Sequence, residues 1–257
     1  MPATAPVCLI TGSATGIGAA CARQFAAQGW HVALSHLDDS TFAEARTLAD
    51  DCRSRGADLL LQALDVRDET ACQSYVASVL DRFGRIDALV NSAGTTRFIP
   101  HTDLDALGED EFHRTYDVNV VGAYRMVRAC AAALKAGGGS ILNISSIGGV
   151  LGRGSSMAYA ASKGALNTLT LALARSLAPQ IRVNAIAPGF VDGGLPGRVL
   201  EKAQYAHVMA SQTAAAVLRR VSQPEEVAAL AWFVTTQAPA MTGNVLVMDN
   251  GLHLNAG

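Results

Sequence analysis

The sequence predicts an open, mostly parallel β-sheet covered by helices on both faces, in a single doubly wound α/β domain of about seven strands. Three observations carry this reading. Short apolar runs of strand length alternate with segments of helical period along the whole chain. Half of the 257 residues are hydrophobic and only 16% are charged, which supplies one large core and is far from the composition of a disordered chain. No linker, internal repeat or low-complexity tract divides the sequence, so residues 1–257 read as one domain.

The elements follow in order. Val7 to Ile10 is an apolar run ending in a Gly-rich turn, and helical period continues from Ala19 to Gln28, closed by Gly29. The pattern repeats as strand His31–Leu34, helix Phe42–Arg55, strand Leu59–Leu64, helix Glu69–Phe83 and strand Ala88–Val90. Such a succession makes right-handed crossovers and therefore parallel strands. After a loop from Gly94 to about Leu107, one continuous helix is expected over 109–135, stopped by Gly137-Gly138-Gly139. Ser140–Ile144 is the next strand, followed by a Gly/Ser-rich loop and a helix from about Ser156 to Ala178. The strand Arg182–Ala187 is broken by Pro188-Gly189. A Gly-rich loop, Asp192–Gly197, then leads to helical segments near 201–217 and 224–235 and to the last strand, Val245–Met248.

Charge and composition exclude several classes of function. A formal net charge of −2, with Lys and Arg scattered, offers no footprint for a phosphate backbone, so nucleic acid is not an expected partner. No apolar stretch approaches the ~18–20 residues that span a bilayer. The start, Met1-Pro2-Ala3-Thr4, lacks the charged and apolar regions of a signal peptide, and a cytoplasmic address is expected. The five cysteines, at 8, 21, 52, 72 and 130, form no CxxC pair and lie by no His cluster, so they read as reduced packing residues with no metal site.

The chemistry concentrates in a few turns. Thr11-Gly12-Ser13-Ala14-Thr15-Gly16-Ile17-Gly18 links the first strand to the first helix, and its glycines permit a tight turn with close backbone approach to a pyrophosphate at a helix N-terminus. That is the layout of a Rossmann-type dinucleotide site, though with GxxxGxG spacing, and glycines between strand and helix also serve merely as turn formers. A second small-residue turn, Asn91-Ser92-Ala93-Gly94, would lie beside it at the carboxyl edge of the sheet. Tyr159 and Lys163 are four apart on an expected helix and share a face. The chain has three lysines in all, so this pairing is rarely met by chance. An ammonium beside a phenol is expected to lower its pKa from ~10 toward working pH, making Tyr159 a general acid or base. Ser146, ending another strand, is placed to hydrogen-bond a carbonyl or alkoxide oxygen.

With these residues in place, the chain resembles the short-chain dehydrogenase/reductase family over nearly its whole length, from Thr11 to Asp249-Asn250-Gly251. The resemblance is nearest in flavour to members acting on 3-oxoacyl thioesters, small ketones and sugars. It implies that Thr11, Gly12, Ser13, Thr15, Gly16, Ile17 and Gly18 form the cofactor turn, that Asp65-Val66 contacts the adenine, and that Asn91, Ala93 and Gly94 complete the cofactor edge. Pro188-Gly189 with Val191 matches the turn near the nicotinamide. Ser146, Tyr159 and Lys163 match the catalytic positions, Lys163 also holding the ribose, and Asn119 matches the asparagine that holds a water for proton relay. A homotetramer is implied too, and the apolar residues on several faces of the expected helices 109–135 and 156–178 agree with it.

Three departures qualify the match. Asp192 stands where the family usually has Thr, so carboxamide docking is expected to differ. Asp249-Asn250-Gly251 replaces a C-terminal Asp-Gly-Gly. Ser35-His36-Leu37 ends the second strand, and His36 stands where NAD-preferring members place Asp. A serine hydroxyl at 35 can donate to a phosphate, while Thr15 and Leu37 are neutral and offer it no cation; the missing acid at the strand tip is the nearer effect and makes NADP(H) the expected cofactor, with NAD(H) as the alternative and Asp38 or Asp39 as its ribose ligand. The expected activity is hydride transfer between a nicotinamide cofactor and a ketone or secondary alcohol, a small-molecule substrate. A catalytically silent nicotinamide-binding regulator or scaffold would not need Ser146, Tyr159, Lys163 and Asn119 together, and a methyltransferase has no use for the Tyr and Lys. The substrate pocket is expected from loops 94–107, 147–157 and 189–220. The last of these, with Gly193-Gly194 and Pro196-Gly197, reads as a hinged lid. Arg97, His101, Arg153 and Arg198 read as solvated loop surface.

Overall fold

The computed structural model describes residues 5–255. Residues 1–4, read above as lacking leader features, lie outside them, as do 256 and 257. Seven strands, β1 (Val7–Thr11), β2 (His31–His36), β3 (Leu59–Ala63), β4 (Ala88–Asn91), β5 (Ser140–Ile144), β6 (Arg182–Pro188) and β7 (Val245–Met248), make one parallel sheet in the order β3-β2-β1-β4-β5-β6-β7. Every residue of β1, β4 and β5 is buried, as strands covered on both faces require.

Alternate side chains feed two cores. From β1, Cys8 and Ile10 face Phe25 and Ala22 of α1 (Gly16–Ala27), Leu48 of α2 (Asp39–Ser54) and Val227 of α10 (Pro224–Trp232). Phe25, Trp30 and Trp232 close that layer with edge-to-face contacts at 5.2–5.7 Å between centroids. Val7 and Leu9 face the other way, toward Tyr75 and Val79 of α3 (Glu69–Phe83), Met126 and Leu134 of α5 (Ala123–Gly137) and Leu173 of α7 (Met157–Leu177). All five cysteines are free and buried in these layers. Among the described residues, no helix is long and apolar enough to cross a membrane and no group of His, Cys, Asp and Glu could hold a metal ion.

Strand order reverses between β1 and β4, which opens a crevice at their carboxyl ends. The helix expected over 109–135 is interrupted there: α4 (Glu109–Tyr116) passes into a π-helical turn, Asp117–Gly122, before α5 begins. Gly122 lets this wide turn lie on β3's exit, since a Cβ there would come within 2.6 Å of Val66. The expected loops after β5 and β6 contain short helices, α6 (Gly148–Leu151) and α8 (Gly194–Val199), and α9 (Lys202–Ala215) follows. The segment expected as helix to 235 ends α10 at Trp232 and continues as a second π turn, Phe233–Gln237.

Candidate active site

At the reversal, the Thr11 hydroxyl accepts hydrogen bonds from the backbone N–H of Ser92 and Ala93, both at 3.1 Å. Gly12 has φ +62°, and a Cβ on it would lie 2.7 Å from the Ala93 Cα, so the two turns meet backbone to backbone. A Cβ on Gly18 would come within 2.4 Å of the Gly12 carbonyl oxygen. Thr15 precedes α1 without capping it through its side chain, so the first-turn N–H groups, Ile17 among them, face the turn. A cradle that admits no Cβ, at an uncapped helix N-terminus, fits a pyrophosphate.

Ser35 corrects one expectation. It is buried, and its hydroxyl accepts from the Gly12 N–H at 3.0 Å and donates to the Ile10 carbonyl at 3.3 Å. The Ser13 hydroxyl in turn takes the Ser35 N–H at 2.7 Å and donates to its carbonyl at 3.0 Å. Both hydroxyls brace the turn from within, and Ser35 has no hydroxyl to offer a phosphate. The strand tip is left to His36, half-exposed, with Nδ1 3.2 Å from the Asp38 carbonyl and its ring 5.1 Å from that of Phe42. Asp38 caps α2, accepting from the Ser40 hydroxyl and N–H, and these bonds hold its carboxyl below the usual range.

Further along the edge, Arg67 grips the Asp65 carboxylate through Nε and Nη2 at 3.0 and 2.6 Å and lowers its pKa. Val66 is buried and supports Gly122. Asn91 donates to Asn143 Oδ1 at 3.0 Å. Gly94 lies where a Cβ would be 3.5 Å from Asn119 Oδ1 and 3.8 Å from Lys163 Nζ.

The π turn delivers Asn119, whose amide accepts from the Thr95 N–H at 2.8 Å and donates to the Thr95 carbonyl and the Ser162 hydroxyl at 3.1 and 3.0 Å. Single-turn π segments often mark functional positions. Thr95 and Ser162 are partners that periodicity does not reveal; Ser162 lies next to Lys163, which is the only sequence signal for it. Ser156 caps α7 by accepting the Tyr159 N–H at 3.2 Å, which fixes the first turn of the helix that carries Tyr159 and Lys163.

Lys163 is 5% exposed and donates to the Ile144 carbonyl at 2.7 Å, with Nζ 5.7 Å from the centre of the Tyr159 ring. Burial lowers its pKa from 10.5 to about 8. The Tyr159 phenol is raised by burial, with a hydrogen bond from Ser146 pulling the other way, so the expected lowering by the ammonium is not found. The reason is geometric: the ammonium sits over the ring and spends a proton on Ile144, while both groups lose water. In this arrangement Tyr159 is a protonated acid at neutral pH, touching the Ser146 hydroxyl that the Gly148 N–H orients at 3.0 Å.

Pro188 and Gly189 close the site from β6. The Pro188 carbonyl accepts the Ile147 N–H at 2.8 Å, next to Ser146, and Val191 pairs with Ser222 in an isolated bridge. Asp192 accepts from the Tyr205 hydroxyl of α9, which also takes the Gly193 N–H at 2.6 Å. Gly193 and Gly194 both have φ in the left-handed region, and Gly194 meets Gly16 so closely that a Cβ on Gly16 would be 2.8 Å from its Cα. The 189–200 segment thus lies against the glycine turn.

A family model described as enoyl-(acyl carrier protein) reductase matches residues 12–253. A crystal structure from Burkholderia xenovorans, assigned to the short-chain dehydrogenase/reductases, superposes with a TM-score of 0.92 at 50% identity, covering 98% of this chain and 99% of that one. The chain belongs to the short-chain dehydrogenase/reductase family. A 3-oxoacyl-[acyl-carrier-protein] reductase of Thermotoga maritima is 34% identical, over 96% of this chain and 97% of that protein. An NAD⁺-bound xylitol dehydrogenase structure superposes with a TM-score of 0.85 at 31% identity, covering 96% and 98%. As a short-chain dehydrogenase/reductase the chain is an oxidoreductase, in a family that uses nicotinamide cofactors.

Proposed function

We propose that this oxidoreductase interconverts a ketone and a secondary alcohol, with Tyr159 exchanging the proton. The observation that carries the reading is the contact of the Tyr159 phenol with the Ser146 hydroxyl above a buried Lys163, at the edge that bears the glycine cradle. When bound, the nicotinamide supplies or accepts the hydride. Thr11 to Gly18, Asn91 to Gly94 and Pro188 to Val191 would hold the cofactor. Ser146 donates to the substrate oxygen and fixes it beside Tyr159, which gives its proton as negative charge develops. Lys163 holds positive charge beneath the ring and binds ribose hydroxyls, and Asn119, braced by Thr95 and Ser162, orders the path that restores the proton. The test is oxidation of reduced nicotinamide with a panel of 3-oxoacyl thioesters, small ketones and sugars; no turnover with any of them overturns the reading.

NADP(H) is the proposed cofactor. With Ser35 turned inward, the support comes from the missing acid at the β2 tip and from Asp38, whose carboxylate is drawn onto the N-terminus of its own helix. His36→Asp is expected to shift the kcat/KM ratio toward NAD. A wild-type enzyme with clearly higher kcat/KM for NAD would overturn the assignment and point to Asp38 or Asp39.

A homotetramer is also proposed. Val121 and Tyr124 by α5 and Leu171 on α7 are exposed at 39%, 44% and 39%, apolar area that the monomer leaves uncovered. Sedimentation at micromolar concentration is expected to show the tetramer, and a single monomeric species would defeat it.

A further inference from the structure

We propose that Glu111 and Arg114 of α4 are positioning residues for the reaction, a buried acid and its cation that fix Thr95 and, through Thr95, hold Asn119 in register with Tyr159. The inference rests on the hydride-transfer reading and adds to it the device that sets the proton path.

Glu111 stands in the first turn of α4 and is only 5% exposed. A carboxylate taken out of water has to be paired and hydrogen-bonded. The Thr115 hydroxyl donates to its Oε1 at 3.0 Å, and the Arg114 guanidinium grips both oxygens, Nε on Oε2 at 3.0 Å and Nη2 on Oε1 at 2.6 Å. This two-point grip fixes the plane of the guanidinium and turns Nη1 away from the acid. Nη1 donates to the Thr95 hydroxyl at 2.5 Å, 19 residues back along the chain. Asp50 and Arg53 on α2 are spaced in the same way, but their side chains are 66% and 56% exposed, the ordinary setting of an ion pair that contributes little.

What Thr95 holds decides the role. It follows Gly94 of the cofactor edge, and both of its backbone polar groups bond the Asn119 amide, the N–H at 2.8 Å and the carbonyl at 3.1 Å. Asn119 Nδ2 also donates to the Ser162 hydroxyl at 3.0 Å, which donates to the Tyr159 carbonyl at 2.8 Å. One line of bonds therefore runs from the Glu111 carboxylate to the backbone of the residue that exchanges the proton. The next residue, Thr96, shares a hydrogen bond with the Ser155 hydroxyl at 2.6 Å, beside the Ser156 cap of α7. The loop is thus pinned on one side to the helix that leads into the π turn and on the other to the helix that carries Tyr159. A π turn is rarer than the α-helix around it, so the place of Asn119 depends on these partners. Without Arg114, Thr95 and Asn119 keep their mutual bonds but lose the anchor that stops them shifting together, and a small displacement is enough to slow a reaction.

The test follows ketone reduction in Thr95→Val, which leaves the Glu111–Arg114 pair whole, and in Arg114→Met, which keeps the apolar stem. Each is expected to lower kcat about tenfold, with ketone KM and cofactor affinity within about twofold of wild type. The solvent deuterium isotope effect on kcat should rise in both, because restoring the proton becomes the slow step. A role in stability alone would lower the active fraction and leave the isotope effect where it was. Asn119→Ala should be slower still, and adding Thr95→Val to it should cost nothing more, since Thr95 acts through Asn119. Arg53→Met, on the exposed pair, should match wild type in rate and isotope effect. An unchanged isotope effect, or losses that multiply in the double variant, overturns the proposal. Thr95→Val carries the test where Arg114→Met, which leaves a buried acid unpaired, does not fold. Hydrogen–deuterium exchange read by mass spectrometry gives a measurement independent of turnover. Backbone amides in 94–96 and 117–122 should exchange faster in both variants while those of β1 and α1 keep the wild-type rate, and unchanged exchange in 117–122 overturns the network even where ketones are reduced. Faster exchange there in a protein that reduces no ketone at all would instead count against the hydride-transfer reading alone.

Discussion

Tyr159→Phe is expected to lower kcat by at least ~10²-fold, the usual scale for losing a general acid, while cofactor affinity survives. The substitution keeps the ring and therefore the packing that positions it. The Tyr159 ring edge faces Gly154, where a Cβ would be 3.5 Å from Cδ1, and its backbone N–H is held by Ser156. Only the phenolic hydroxyl goes, and with it the acidic proton and the oxygen that accepts the hydrogen bond from Ser146. The cradle at Gly12, Gly16 and Gly18 owes its shape to Thr11, Ser13 and Ser35, none of which touches Tyr159. The loss should therefore fall on kcat with the cofactor dissociation constant within about twofold, since the interaction removed is made in the transition state. Fluorescence titration and steady-state rates on the same preparation check both halves. Turnover near the wild-type rate would remove Tyr159 from the proposed role.

The layers of this fold were legible because each depends on a short-range pattern. Val7 and Leu9 against Cys8 and Ile10 are a period-two sort onto two cores. Tyr159 and Lys163 needed only the helical repeat to be placed on one face. What could not be read depends on groups far apart in sequence. The π turn at Asn119 adds one residue to a helix whose apolar period is otherwise unbroken, and its partners Thr95 and Ser162 are 24 and 43 residues away. Ser35 looks like a strand-tip donor until the fold brings Gly12 and Ile10 onto its hydroxyl. Spacing also implied that the ammonium would lower the phenol pKa; it carries no information about water, and burial reverses the sign.

Burial of Lys163 leads to the second large effect, on stability as well as on activity. Lys163→Met is expected to cut turnover at least ~10²-fold, because the variant has no charge beneath Tyr159. The same change should stabilise the cofactor-free protein at neutral pH. The folded pKa of about 8 lies below the ordinary 10.5, so between these values the unfolded chain binds more protons than the folded one. Wild-type stability attributable to this group therefore rises as pH climbs from about 8 to about 10.5, and the full penalty, roughly 3 kcal/mol, is present below that window. Methionine removes the penalty but also the hydrogen bond to the Ile144 carbonyl, worth about 1–2 kcal/mol when the acceptor is left buried. A net gain of about 1 kcal/mol remains at pH 7, or about 2–4 °C in Tm for a domain of this size. The Tyr159 phenol is raised by burial, which Lys163→Met leaves in place, so its contribution is expected to be common to both proteins. Chemical denaturation of both proteins from pH 7 to 10.5 checks the sign. The advantage of Lys163→Met should shrink with rising pH and reverse near the top of the range, where only the lost hydrogen bond is left. A stability difference independent of pH would mean that Lys163 keeps an ordinary pKa in the folded protein, and with it the water that the packing around Ile144 and Tyr159 excludes.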